Sequence, residues 1–386
     1  MRDQIRSGNY KPGDWLPPER RLALDLGVDR RVIRTAINQL VETGLIIRRP
    51  HCRPIVGGAN SPEAITHGAL SLGQHEQTDN AASGKARSTP RSNFIALLMW
   101  HGGGQLERSF TSQQRIFWGM NQALAQAGYF AVFVDLGADL GVVGSEMDSA
   151  QREAQQLRDT VERGVSGIVF YPYAYRSNRD LIEQISRKIP MVTIDRRTDG
   201  VDTDFVGVDN QKAMYDTIMH LVHQGHRRIA YVTKNEPICP VQDRIQGYID
   251  AMLDAGLEEL VLSIPSRDQS TNWTSIDTIF SLPREKRPTA AAAFNDYAAL
   301  YLTARLADMG LSVPGDVAVT GFDDIITTLP NGVGLTTVAQ PYEDIGRKAV
   351  EVLLRRIETP SAPTMRISLP AELAIRESSA FRGAQL

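Results

Sequence analysis

The 386-residue sequence predicts two architectures on one chain: a small α+β head of helices and a hairpin, and a two-lobed α/β body with parallel sheets. Three observations predict this. In the head, Ile33, Ala36, Ile37, Leu40 and Val41 recur at i, i+3, i+4, i+7 and i+8, the stripe of an amphipathic helix. From Phe94 onward, short apolar runs alternate with amphipathic stretches, the rhythm of βαβ units. Charge divides at the same place: residues 1–56 hold 11 Lys+Arg and 6 Asp+Glu, a net of +5, while the remainder holds 31 and 39, a net of −8, within an overall −3. A basic head on an acidic body points to a polyanionic partner for the head.

The head begins with "DQIRSGNYKPG", the end of a helix closed by Gly8, Pro12 and Gly13. "PPERRLALDLG" follows as a short helix with Pro18 near its first turn and Gly27 after its last. Asp29 is the N-cap of the next helix, which Gly44 ends. "LIIRR" and "RPIV" then form two short strands around a tip at 50–52. Arg31, Arg34, Thr35 and Asn38 lie opposite the apolar stripe, with Arg30 near its rim. Cations oppose the dipole at a helix N-terminus. DNA phosphates would satisfy dipole and arginines together, and a helix, a short turn and an arginine-rich second helix form the helix-turn-helix pattern.

Residues 58–93 are rich in Gly, Ser, Ala, Asn and Pro and show no period, so they are expected to be a flexible linker between a head at 1–57 and a body at 94–380. Thirty-six such residues reach roughly 30–36 Å. In the body, the strands are "FIALLMW", "FAVFVD", "GIVFY", "MVTID", "RIAYV", "LVLSI", "AAAAF" and "VAVTGF", with helices such as "QRIFWGMNQALAQAG" between them. Roughly 285 residues exceed one comfortable core, which predicts two lobes. Asp195 and Arg196, Asn295 and Asp296, and Asp323 and Asp324 stand just after strands, where doubly wound sheets bind ligands. Each also has a local role open to it: Asn295 can cap the following helix and Asp323 can sit in a turn.

Other chemistries find little support. There is no GxSxG, GxxxxGK or CxxC, so no enzyme activity and no cofactor is expected. "HLVHQGH" spaces His220, His223 and His226 like metal ligands, but His226 runs into a strand, and no metal site is expected. The N-terminus has no apolar stretch of a signal peptide, no run approaches 18 apolar residues, and Cys52 and Cys239 stand far apart, so the expectation is a cytoplasmic protein without a membrane span.

Two resemblances sharpen the reading. "PGDWLPPER", "LALDLGV", "RRVIRTAINQL" and "ETGLI" resemble the winged helix-turn-helix domain of the gluconate-repressor (GntR) family. The resemblance places Arg20, Arg30 and Arg34 at DNA-contacting positions and Arg49, His51 and Arg53 on the wing, beside Arg31 from the helical face. The tip "RRPHCRPIV" lacks that family's glycines, and the first helix is short at its start. The stretches "HLVHQGHRRIAYVT", "DRIQGYIDAM", "FNDYAALYLTARLADMGLSVPGDVAVTGFDDI" and "GLTTVAQPYEDIGRKAVEVLL" are similar to the effector domain of lactose/galactose (LacI/GalR) repressors, a fold shared with periplasmic sugar-binding proteins. That similarity implies effector contacts at Asp195, Arg196, Arg244, Asn295, Asp323 and Gln340, with an aromatic platform at Trp273. Ser112, Gln113, Tyr171 and Tyr173 are further candidates on the facing lobe. Carboxylates, amides and an indole suit a polyol.

A GntR-type head on a LacI-type body resembles the arabinose-repressor group. The resemblance implies a homodimeric repressor that binds double-stranded operator DNA, pseudo-palindromic in sequence, and answers to a sugar or related polyol. The rival class is a sugar-binding or catalytic protein whose basic head is only an interaction module.

Overall fold

A computed structural model describes residues 22, 33, 36–37, 46–47, 55–56, 92–100, 112–136, 146–234, 238–264 and 273–380. Its contacts divide the chain into two units, 1–86 and 87–386. In the first, Leu22, Ile33 and Ile37 form a buried cluster, so two residues of the stripe read from the sequence, Ile33 and Ile37, face inward. Strands β1 (Ile46–Ile47) and β2 (Ile55–Val56) pair antiparallel, Ile46 opposite Val56, which is the expected hairpin. Arg20, Arg30, Arg31, Arg34, Arg49, His51 and Arg53 lie outside the described residues, as does nearly all of the linker.

The second unit has two lobes. In chain order the N-lobe starts with β3 (Phe94–Met99), α1 (Ser112–Gln126), β4 (Phe130–Asp135), α2 (Glu146–Glu162), β5 (Gly167–Phe170), α3 (Arg179–Ser186), β6 (Met191–Ile194) and β7 (Asp204–Val208). The chain then crosses to the C-lobe: α4 (Asn210–His223), β8 (Ile229–Thr233), α5 (Cys239–Asp254), β9 (Val261–Ser263), α6 (Thr274–Phe280), β10 (Ala290–Ala293), α7 (Asp296–Asp308), β11 (Ala318–Asp323) and β12 (Thr336–Ala339). Helix α8 (Tyr342–Glu358) returns to the N-lobe core, β13 (Arg366–Leu369) completes its sheet, and β14 (Glu372–Ala374) ends in the C-lobe. The chain therefore crosses between lobes three times.

The N-lobe sheet runs β13-β7-β6-β5-β3-β4, all parallel, and the C-lobe sheet runs β14-β12-β11-β10-β8-β9, parallel except for β14. Central strands such as β5, β6 and β10 are buried along their whole length, which is why they read as unbroken apolar runs. All eight strands named from sequence are present. The reading overlooked β7 and β12–β14, whose "DFVGV", "TTVA", "RISL" and "ELA" are short or carry charges at the strand ends.

One device closes helix after helix. Glycines 128, 164, 225, 256 and 310 each stand two residues past a helix with positive φ. The next amide then reaches back to the last turn, as Tyr129 N–H to Leu124 O and Leu311 N–H to Leu306 O. Two helices start with a side-chain cap: Asp209 accepts from Lys212 N–H at α4, and Asn295 from Ala298 N–H at α7.

Candidate functional site

The carboxyl ends of the strands of both lobes face one polar group of side chains. From the N-lobe, Tyr171 follows β5 and Asp195 and Arg196 follow β6. The Tyr171 hydroxyl donates to Asp195 Oδ2 at 2.5 Å. The Arg196 guanidinium lies over the rings of Tyr171 and Tyr173, 5.3 and 5.5 Å from their centroids, and donates to Tyr173 O. Burial, together with the Asp195 carboxylate, pushes the Tyr171 hydroxyl far up, so it stays a donor.

From the C-lobe, Arg244 on α5 is the centre. Its Nε donates to Asn210 Oδ1 at 2.8 Å, its Nη1 to Phe294 O, and its Nη2 stands 3.5 Å from Asp323 Oδ1. Its guanidinium lies flat over Phe322, 3.6 Å from the ring centroid. Gln340 Nε2 donates to the same Asp323 oxygen at 2.7 Å. Burial pushes Asp323 up to about 6, against Arg244 and Gln340, which pull it down; Asp195 from the other lobe pushes it further up. The two groups are thus one electrostatic unit across the lobes.

The backbone there is strained. Asp195 (φ 62°), Asp323 (φ 115°) and Asp324 (φ 51°) are the non-glycine residues with positive φ among the described residues. Such conformations cost about 1–3 kcal/mol each and persist where the surroundings fix them. Asp324 is fixed by Arg376 at 2.7 Å. Behind them Asp296 accepts from Ile325 N–H, Ile326 N–H and the Thr337 hydroxyl, which ties the loop after β11 to α7. Burial and the neighbouring Asp323 push Asp296 up to about 7.

A second latch joins the lobes. Arg197 donates through Nη2 to both Asp243 oxygens at 2.8 Å, and its N–H lies 3.2 Å from Cys239 Sγ. Burial pushes that thiol up to about 11. On the N-lobe, Met99, Trp100, Gln113, Gln114, Phe117 and Phe133 wall a cavity of about 280 Å³, a volume that fits a small molecule. Beside it Trp100, Leu136, Ser149, Arg152, Glu153 and Tyr173 wall a niche of about 10 Å³. Trp100 Nε1 and Arg152 Nη1 in the wall of the niche, and Arg196 Nε beside Tyr173, are shut off from solvent without a hydrogen-bond partner, as is Gln340 Oε1 in the C-lobe group. Each costs about 1–3 kcal/mol if nothing fills it.

Residues 218–379 match the periplasmic binding protein-like domain, and residues 1–52 match the bacterial regulatory proteins of the gntR family. The HTH-type transcriptional regulator PtxS of Pseudomonas aeruginosa is 30% identical over 64% of this chain and 71% of its own. The chain belongs to the LacI/GalR-type transcriptional regulators, with a GntR-type head. The arabinose metabolism transcriptional repressor of Geobacillus stearothermophilus is 27% identical to this regulator over 97% of the chain and 94% of its own length, head and body alike. A regulatory protein of the LacI family from Chloroflexus aggregans shares the body fold with a TM-score of 0.62 and 27% identity, over 74% of this chain and 98% of that one. A LacI family regulator from Enterococcus faecium, solved with bound ribose, shares the fold at a TM-score of 0.57 and 23% identity, over 74% and 98%. These relatives are transcriptional regulators, not enzymes.

Of the sequence candidates in this regulator, Tyr171, Tyr173, Asp195 and Arg196 come together, and Arg244, Asp323 and Gln340 face them. Asn295 uses its side-chain oxygen on the α7 cap. Trp273 precedes α6, partly buried against the C-lobe core. Ser112 and Gln113 bond to each other at the start of α1, and Gln113 lines the larger cavity. His220 meets Ser379 and His226 meets Thr289, so two of the three spaced histidines are engaged structurally. Sequence reading missed Trp100, Arg152 and Asn210. Asn210 could have been found, since it begins a helix just after an Asp cap.

Proposed function

We propose that the chain is a cytoplasmic repressor that holds a pseudo-palindromic operator as a homodimer and changes its grip when a sugar or related polyol binds between the lobes. The observation that carries this is the facing pair of groups, Tyr171–Asp195–Arg196 and Arg244–Asp323–Gln340. Fixed carboxylates, a guanidinium and an amide are donors and acceptors in the mixture that hydroxyl groups require. A ligand touching both groups holds the lobes at one angle, and α8, which follows C-lobe strand β12 and packs in the N-lobe core, lies on the path between them. The relative from Geobacillus stearothermophilus, named for arabinose metabolism, supports a sugar. In this reading Asn295 and Trp273 complete the C-lobe wall, and Ser112 and Gln113 the N-lobe wall.

The head, 1–57, presents Arg20, Arg30, Arg31 and Arg34 to the major groove and Arg49, His51 and Arg53 through the hairpin, and 58–93 tethers it to the body at 94–380. The dimer uses the edge of the N-lobe. There β4 pairs with β3 alone among the described residues, and Phe130 and Trp118 are 63% and 57% exposed. Apolar groups of that size on an unpaired edge suit a second copy. A Trp118→Asp, Phe130→Asp variant is expected to sediment as a monomer.

A mobility shift with the chain's own promoter region tests the function and separates a repressor from a protein whose head is only an interaction module. Affinity is expected to fall steeply with salt as phosphate contacts release counterions. Arg34→Ala is expected to weaken specific binding by about 1–3 kcal/mol. Salt-independent binding, or full affinity in Arg34→Ala, refutes the reading.

A further inference from the structure

The donors left over in the N-lobe say more about the ligand than its polyol character. Arg152 on α2 makes no hydrogen bond, ion pair or ring contact among the described residues, although its Nη1 is closed off from solvent. The other arginines around the cleft have carboxylates: Arg197 has Asp243, Arg244 has Asp323, Arg376 has Asp324 and Arg196 lies 3.9 Å from Asp195. The carboxylate next to Arg152 in sequence, Glu153, is already occupied. It accepts from Tyr173 N–H, Ala174 N–H and Asn178 Nδ2, and so fixes the loop after β5.

Arg152 does not stand alone. The indole Nε1 of Trp100, just after β3, is equally closed off and unpartnered, and both residues wall the same niche with Leu136, Ser149, Tyr173 and Glu153, whose carboxylate is turned to the amides of the β5 loop. Across Tyr173, whose ring packs 5.7 Å from that of Trp100, lies Arg196 with its own unpartnered Nε. The niche thus opens at the carboxyl ends of β3, β4 and β5, next to the Asp195–Arg196 group, where a ligand of the cleft ends. Among the described residues these three N–H donors make no hydrogen bond, and only Arg196 Nε has a carboxylate near it, Asp195 Oδ2 at 3.9 Å. On the C-lobe side the unpartnered atom is an acceptor, Gln340 Oε1.

We propose that the effector is a polyhydroxy carboxylate, with its carboxylate in the Arg152–Trp100 niche and a hydroxyl on Gln340. This rests on the cleft being the effector site. A water in the niche would accept from both donors but bring no charge to meet the guanidinium. A carboxylate oxygen satisfies both.

Calorimetric titration of the full chain tests this with three kinds of probe: hexuronic and aldonic acids, the neutral aldoses that match them, and the corresponding sugar phosphates. An acid is expected to bind at least about tenfold tighter than its neutral partner. Arg152→Gln is expected to remove that margin while leaving any neutral-sugar affinity in place, and Trp100→Phe, which keeps the ring and loses the N–H, to remove part of it. Thermal melts of both variants check that the fold is intact. Equal affinity for acid and neutral sugar, preference for the phosphate, or an unchanged acid affinity in both variants overturns the carboxylate and leaves the sugar-responsive reading standing. If no member of any set binds, the sugar reading fails and the carboxylate fails with it.

Discussion

Asp323 sits at the meeting of three constraints: a backbone at φ 115°, a guanidinium that leans on it, and a second carboxylate across the lobes. Burial raises it to about 6 and raises Asp296 behind it to about 7. The sign follows from which state holds the proton. Between about pH 4 and 7 the native body binds protons at these two groups that the unfolded chain has already lost, so stability is full at the acid end and falls as pH rises. Asp323→Asn removes one of the two titrations. Its melting temperature is expected to vary less than the parent's between pH 5 and 7.5, with about 1–2 kcal/mol of the parent's loss missing; an unchanged pH slope contradicts the assignment. Asp195 and Asp323 stood out in sequence as carboxylates at the ends of apolar strands, although a turn role was equally open to Asp323. Arg152 did not. It lies on a helix, "EMDSAQREAQQLRDTVE", whose other arginine, Arg158, is exposed, and nothing local separates a cation turned into a niche from one turned to water.

Elements were legible where the cause is local. A glycine that ends a helix announces itself, as in "AQAGY" and "ADMGL". Which lobe an element joins is not local: α8 follows the C-lobe strands along the chain but packs in the N-lobe core. Two glycines make that return possible. A Cβ on Gly346 of α8 would stand 2.2 Å from Ile116 O of α1, and one on Gly119 of α1 would stand 2.1 Å from Glu343 O. The two backbones approach too closely for any side chain, and Arg115 of α1 closes the contact on Glu343 at 2.9 Å. Gly346→Ala must therefore push α1 and α8 apart, with an expected loss of about 1–3 kcal/mol in urea unfolding. Gly128→Ala is the control. Its Cβ meets nothing within 4 Å, so only the positive φ is taxed, at about 1 kcal/mol. If the two variants cost the same, the close approach is not what the glycine at 346 serves.

At the scale of the whole molecule the question is how a head of net charge +5 works beside a body of net charge −8. The body's field opposes DNA, but salt confines it to about 8 Å at physiological ionic strength. If 58–93 is the tether proposed above, its reach of roughly 30–36 Å exceeds that screening length, and two such tethers on the proposed dimer would span half-sites about 34–36 Å apart. A flexible chain transmits no torque, so on that proposal the body would control only how concentrated one head is near the other's half-site. Inserting about ten Gly/Ser residues into 58–93 lengthens the reach by about an eighth and dilutes the second head by about a third. Operator affinity in a mobility shift is expected to change less than about twofold, and release by effector to survive. Cutting the segment to about ten residues shortens each reach to roughly 16–19 Å and brings the negative body towards the DNA. Affinity is then expected to fall at least about tenfold at low salt and to recover partly as salt screens the body, the reverse of the salt response of the parent. Loss of operator binding on lengthening, or protection of 58–93 from protease in the free protein, would show an ordered coupling element there instead of a tether.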